Sequence, residues 1–427
     1  MWLTTHTSNP TPASNRTLAP IPWDPEANGG CLPSTRQENL LGAALFAPAQ
    51  AVAAWHRWRA EVDPTRDFID PGSVRLLPLV YENLRPCDLD DPYLQSLKAL
   101  HHQTVFTNQI QLHGCAQLLD LLHAAGIPTL TLKGAALVSQ YYPTVGTRPM
   151  GDFDVLVPHA QAEAALAVLD AAEWRPVGLA HSQITPALLQ VRHAQNFSGP
   201  NRRQIDLHWY ALAGSMDPAL DRQLWDQAQP LTLHNVTTQT LCPTDQLIHV
   251  CVHGAAWSSV PPVRWIPDAV MTLRAAADAA NPAPAIDWTR LLELARAYQL
   301  GMSLHHTLSY LQAHILPQVA AVDALPAPVL DTLAQMPTTR AERRLFRAHT
   351  QRSTRLGQLP LLWARYRAYR ARIQNARAHR DAGKGGRLSF PGYIAVYYGY
   401  RGLSEVLGWA MMRSRERIQR MRLGLRQ

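Results

Sequence analysis

A chain of 427 residues is too long for one ordinary core, so two or three domains are expected. With 47% hydrophobic and 17% charged residues it is too apolar for a disordered protein, and no run approaches the ~18–20 consecutive apolar residues that a membrane span needs. The net charge of +8 is unevenly spread: from Arg340 onward there are 21 Lys and Arg against 4 Asp and Glu, whereas residues 1–339 carry 19 against 28. An acidic body suits a site that collects divalent cations, and a basic tail suits an anionic partner or surface. The five cysteines are scattered, with no Cys-x-x-Cys pair, which argues for reduced thiols rather than a disulfide frame or a zinc site. The first residues lack a basic segment followed by an apolar run, so a cytoplasmic protein is expected.

Residues 1–38, rich in Pro, Thr, Ser and Asn, read as a disordered leader. Residues 39–114 repeat apolar positions at helical spacing, as in Leu40-Leu41-x-x-x-Leu45, and form an N-terminal helical region. In residues 115–230 the pattern changes. A helix over Leu118–Ala125 stops at Gly126, and a β-branched strand covers Ile127–Leu132. Lys133-Gly134 then turns the chain into a helix from Ala135 to about Tyr141. The spacing predicts a strand over Asp152–Val157, a helix over His159–Ala172, and strands over Ala194–Ser198 and Gln204–Trp209. Short polar turns between the later strands point to an α+β fold, a small mixed β-sheet with helices on one side, rather than a doubly wound one. Beyond Ser215 the chain is expected to be mainly helical, with residues 231–338 forming a helical domain and residues 339–427 a basic amphipathic tail.

The chemistry concentrates in Gly151-Asp152-Phe153-Asp154-Val155-Leu156-Val157. On a strand, alternate side chains share a face, so Asp152 and Asp154 are predicted to point one way and Phe153 and Val155 into a core. Carboxylates about 7 Å apart on one face repel unless something positive lies between them, and hard oxygen ligands select Mg2+ or Mn2+. A third acid, Asp206, sits with His208 on one face of Gln204–Trp209, while Ile205 and Leu207 take the other. Upstream, Lys133, Gly134 and Ala135 stand where a strand enters a helix, a place where backbone amides can meet a phosphate. Arg148, four residues before Asp152, is positioned to pair with a triphosphate.

The set Leu-Lys-Gly-Ala-Ala-Leu, Arg-Pro-Met-Gly-Asp-Phe-Asp-Val-Leu-Val and Ile-Asp-Leu-His-Trp resembles the uncharacterised bacterial nucleotidyltransferases of the DNA polymerase β-like superfamily, over roughly residues 115–300. The resemblance implies that Asp152, Asp154 and Asp206 are catalytic and hold Mg2+ (or Mn2+), with Asp206 helping to activate the acceptor hydroxyl. It further implies that Gly134 and Ala135 form the turn that binds the phosphates of a nucleoside triphosphate, with ATP the expected one; Lys133 can add a compensating charge there, and Arg148 completes the nucleotide-binding set read from the residues. The turn here is Gly134-Ala135 where the superfamily normally has Gly-Ser or Gly-Gly, so one hydroxyl contact to phosphate is missing. The implied reaction is transfer of a nucleoside monophosphate to an unknown hydroxyl-bearing acceptor, a small molecule or a protein. One alternative is a protein-modifying, antitoxin-like enzyme; another is an inactive relative serving as a scaffold.

His208, His253, Arg264 and Asp268 are candidates for the acceptor side, although Arg264 and Asp268 suit a buried ion pair equally well. His249 and His253, four apart on a helix, lack a third ligand and read as packed histidines rather than zinc ligands. Lys133 at a helix start opposes the helix dipole, so a functional or pairing reason is expected for it. The tail pattern Leu362-Trp-Ala-Arg-Tyr-Arg-Ala-Tyr-Arg suits an anionic membrane surface, with nucleic acid less favoured. A solvated basic face packed on the acidic body is its plainest explanation.

Overall fold

A computed structural model describes residues 30–350 except 68, 201, 202, 255, 259, 279 and 281–283, together with 363, 366, 367 and 370. Helix α1 (Thr35–Leu45) begins at Ser34, whose hydroxyl accepts from the Gln37 amide while the Gln37 side chain accepts from the Ser34 amide. This capping box lies inside the stretch expected to be a leader, so the ordered chain starts earlier than residue 39. Residues 1–29 of that leader lie outside the described residues. Helices α2 (Pro48–Glu61), α3 (Pro71–Val74) and α4 (Leu77–Leu84) follow, and α2 contributes the fully buried Trp55 and Trp58 to the core they share.

Helix α5 (Tyr93–Ala124) is 32 residues long and passes without a break through the boundary expected at 114/115. It ends at Gly126, whose φ of +73° is the left-handed geometry that glycine takes at no steric cost. Next come β1 (Leu130–Leu132), α6 (Lys133–Gln140), β2 (Phe153–Leu156) and α7 (Ala162–Ala171). The chain continues through β3 (Arg175–Pro176), α8 (Pro186–Val191), β4 (Ala194–Ser198), β5 (Gln204–His208) and α9 (Pro218–Asp226). A hairpin, β6 (Gln229–Leu233) and β7 (Val236–Thr240), precedes the helices α10 (Pro243–Gly254), α11 (Trp265–Ala277), α12 (Trp288–Ala297), α13 (Gly301–Tyr310), α14 (Ala327–Gln335) and α15 (Arg340–Thr350).

Among the described residues, seven strands form one mixed sheet in the order β3-β4-β5-β2-β1-β7-β6. The fold is therefore α+β. Strands β2 and β5 run parallel, as do β1 and β7, while the other neighbours are antiparallel. Beyond Ser215 the described chain is mainly helical as expected, with the hairpin as an addition, and β7 completes the central sheet by pairing with β1. A boundary at 230/231 falls inside β6.

The pleat assigns the two faces. Phe153, Val155, Ile205 and Leu207 enter a core with Leu118, Leu119 and Leu122 of α5 and Ala165 and Leu169 of α7. Leu130, Leu132 and Leu156 belong to a second core, shared with α10, α11 and the N-terminal helices, on the face that also carries Asp154 and His208. Flanking helices thus close over the side of the sheet that carries the acids. At the start of the basic tail, α15 docks on the body: the buried Glu342 accepts from the Met302 amide at the N-terminus of α13, where a carboxylate complements the helix dipole. The tail beyond Thr350, with the arginine-striped pattern, falls almost wholly outside the described residues. Among the described residues no helix is long and apolar enough to cross a membrane.

Helix α9 carries a carboxyl that titrates far from its usual range. Asp221 is buried; Oδ1 accepts from the Ala211 amide and Oδ2 has no partner among the described residues, so burial pushes its pKa up to about 7. The unfolded chain loses this proton near 3.9, so the group's contribution to stability falls as pH rises from about 4 and levels off above about 7, a loss of about 4 kcal/mol. Asp221→Asn is expected to remove that slope. The difference in urea-unfolding free energy between wild type and variant, measured from pH 4 to pH 8, should change by about that amount. A constant difference would show that Asp221 is ionised in the fold.

Candidate active site

Asp154 lies within β2, register-paired with Leu132 of β1 on one side and Asp206 of β5 on the other. Two carboxylates therefore stand on neighbouring parallel strands about 4.8 Å apart, on one face of the sheet. His208, two residues after Asp206, shares that face. Its Nε2 lies 3.1 Å from Asp154 Oδ1 and 3.2 Å from Asp206 Oδ2. The Lys133 ammonium donates to Asp154 Oδ1 at 2.6 Å from the first residue of α6. The reason expected for Lys133 is thus its pairing with Asp154.

These contacts set the charges. Burial disfavours ionised Asp154, but Lys133 and His208 outweigh it and hold the carboxyl well below its usual range. Asp206 is likewise lowered: burial opposes ionisation and His208 overcomes it. Burial alone would lower His208, yet the two carboxylates raise it to about 9 and keep it protonated at neutral pH. Asp152 precedes β2 and is raised by burial and by the negative charges of Asp154 and Asp206, against Lys133. An ammonium and an imidazolium thus compensate the Asp154 and Asp206 carboxylates.

Of the three aspartates expected to hold metal, Asp154 and Asp206 are brought together and Asp152 lies just before β2. Asp154, Asp206 and His208 each offer an atom within 4.8 Å of the others, a grouping that does not include Asp152. Among the described residues, Asp206 Oδ1 is buried without a hydrogen-bond donor, and His208 Nδ1 is buried without a hydrogen-bond partner. A buried carboxylate oxygen without a donor, beside a second carboxylate, fits a hard divalent cation, and the imidazole is a borderline ligand.

The strand-to-helix turn carries strain. Lys133 has φ of +46°, a region a non-glycine residue enters at a cost of order 1–3 kcal/mol. At Gly134 a Cβ would lie 3.3 Å from Arg148 Nη1 and 3.4 Å from Met150 Cγ, so the missing side chain makes room for protein groups. Gly134 and Ala135 are both buried.

Arg148 departs from its expected employment. Its Nε and Nη2 donate to Asp268 Oδ1 and Oδ2 at 2.6 and 2.8 Å, and Tyr142 donates to Oδ1 at 2.6 Å. Both charged side chains are almost fully buried, so Arg148 is committed to Asp268 rather than free for a triphosphate, and Asp268 is committed in turn. The buried ion pair foreseen for Arg264 is made by Arg148 instead. Arg264, at the start of α11, donates to the Pro149 carbonyl at 3.3 Å and has no carboxylate partner among the described residues. Burial and the Arg148 charge lower its pKa to about 10.

His253 keeps an open surface in α10, and Lys133, Asp154 and His208 all act on it electrostatically, which puts it near the acid cluster. Its neighbour His249 is buried, with ring centroids 6.1 Å apart, stacked rather than converging on a common ion. One residue missed in the sequence positions the whole loop. Asn108, in the middle of α5 and fully buried, donates to the Val145 and Arg148 carbonyls and accepts from the Met150 amide. A polar residue on the buried stripe of a long helix was the available signal.

Residues 73–315, more than half of the chain, match the sequence profile of a family described as uncharacterised nucleotidyltransferases. The chain belongs to that family. The match takes in the turn at Lys133, both acid-bearing strands, and Arg264 and Asp268 of α11. A nucleotidyltransferase takes a nucleoside triphosphate as substrate, and enzymes of this kind generally use divalent metals. No curated protein and no solved structure matches this nucleotidyltransferase.

Proposed function

We propose that this nucleotidyltransferase moves a nucleoside monophosphate from a nucleoside triphosphate, ATP by expectation, onto a hydroxyl-bearing acceptor. The reaction depends on Mg2+ or Mn2+ held by Asp152, Asp154 and Asp206, the arrangement of DNA polymerase β-like enzymes. One observation carries the reading: Asp154 and Asp206 are register partners on parallel strands beside the Lys133–Gly134 turn, and Asp206 Oδ1 is buried with no donor among the described residues. Bound cations would supply Lewis acidity at the attacking oxygen and counter-charge at the leaving group.

The remaining steps fall to the chain itself. Asp206 accepts the acceptor's hydroxyl proton as its oxygen bonds to the α-phosphorus. The bond from that phosphorus to the bridging oxygen breaks, and pyrophosphate leaves with the electron pair. Lys133 and the amides at Gly134 and Ala135 steady the phosphates, a role in which Arg148 takes no part because Asp268 holds it. His208 keeps the two carboxylates ionised, and His253 lines the acceptor side.

The test is pyrophosphate release from each of the four nucleoside triphosphates, with Mg2+ or Mn2+ and then with EDTA, in the presence of fractionated cell extract. At least one nucleotide should turn over, and only with metal. Label from that nucleotide that migrates with a protein band identifies a protein acceptor; label in the small-molecule fraction identifies a small one. No release from any nucleotide with any fraction would favour the scaffold reading.

A further inference from the structure

The acid cluster contains one charged member that is placed to leave. The Asp154 and His208 side chains are 5% and 1% exposed and fixed by strand geometry, whereas the Lys133 side chain is 20% exposed at the end of a flexible stem. Two penalties attach to a lysine at this position. It adds a cation at the positive end of α6, and it takes a left-handed φ of +46° that favours glycine. Neither penalty helps the helix, so the ammonium is there for Asp154. It donates to the oxygen, Oδ1, that also receives His208.

Resting on the divalent-cation site proposed above, we infer that Lys133 is a resident counter-ion. It neutralises Asp154 while the site is free of nucleotide, yields that oxygen when cation and nucleotide arrive together, and turns its charge onto the phosphates. The exchange never leaves the carboxylates without a counter-charge: a divalent cation reaches them as the single charge of the ammonium leaves, and the departing ammonium meets the triphosphate that accompanies the cation. It also makes cation binding in the absence of nucleotide weak, because a cation then displaces Lys133 into water with no phosphate to receive it. Arg148 cannot substitute, since its guanidinium is locked on Asp268.

The experiment measures Mn2+ binding to the full chain by electron paramagnetic resonance without nucleotide, for wild type and Lys133→Met. The variant should bind Mn2+ about tenfold more tightly than wild type. In the presence of Mg2+ it should bind α,β-methylene-ATP, which cannot transfer its nucleotide, about tenfold less tightly. Lys133→Gly, which suits the left-handed backbone, provides a second variant if the methionine does not fold. Mn2+ affinity equal to or below that of wild type in a folded variant overturns the exchange. If wild type binds Mn2+ and Asp154→Asn does not, that outcome leaves the cation site standing. Absence of Mn2+ binding in every form overturns both.

Discussion

Asp154→Asn is expected to lower metal-dependent turnover by roughly 10^3-fold or more, about 4 kcal/mol in the transition state, while the chain stays folded. Asparagine fills the same space between Leu132 and Asp206 but brings no charge to hold a cation. It also leaves His208 with one carboxylate instead of two, so the imidazole loses a cause of its raised pKa. The exposed Asp90 serves as the control, and Asp90→Asn should leave turnover unchanged. Pyrophosphate release at saturating nucleotide decides the matter, with circular dichroism to show that the variant is folded. Turnover within about threefold of wild type would remove Asp154 from the chemistry altogether.

The second large effect is on stability. Arg148 and Asp268 are 120 residues apart in sequence and tie the loop before Asp152 to α11 through a bidentate pair shielded from water. Arg148→Met leaves a buried carboxylate with only the Tyr142 hydroxyl, and should cost about 3–5 kcal/mol in urea unfolding. The double variant Arg148→Met with Asp268→Leu should recover most of that loss, because both charges then disappear together. The nucleotide KM of the folded Arg148→Met enzyme should stay near wild type. Retained stability with a sharply raised KM would return Arg148 to the phosphate-binding role that its sequence position suggested.

Local patterns carried much of this architecture. The alternation in Gln204–His208 and around Phe153–Leu156 placed both strands and assigned their faces, because a period of two is legible wherever one face is buried. The same signal was present and passed over in Gln229–Leu233 and Val236–Thr240. There, alternating apolar residues and threonines flank His234, whose φ of +52° makes the turn. Ser34-x-x-Gln37 likewise announced α1. The partners of Arg148, Lys133 and Asn108 were another kind of information. Each is fixed by the approach of segments 21 to 120 residues apart, and no local period records which acid a buried cation will meet. The role of His208 between two carboxylates was half visible, since its face could be read but the register of β2 against β5 could not.

Helix α5 has a mechanical consequence. At 1.5 Å per residue its 32 residues span about 48 Å. Leu97 near one end is seated in the core of the N-terminal helices, and Leu112, Leu118 and Leu122 toward the other are seated in the core beneath the sheet. Asn108, between those anchorages, suspends the segment that leads into Asp152. A stiff rod built into both halves behaves as a shared axle: neither half can loosen alone without bending it, and any tilt reaches the segment before Asp152 through Asn108. The two halves are thereby coupled into one cooperative body.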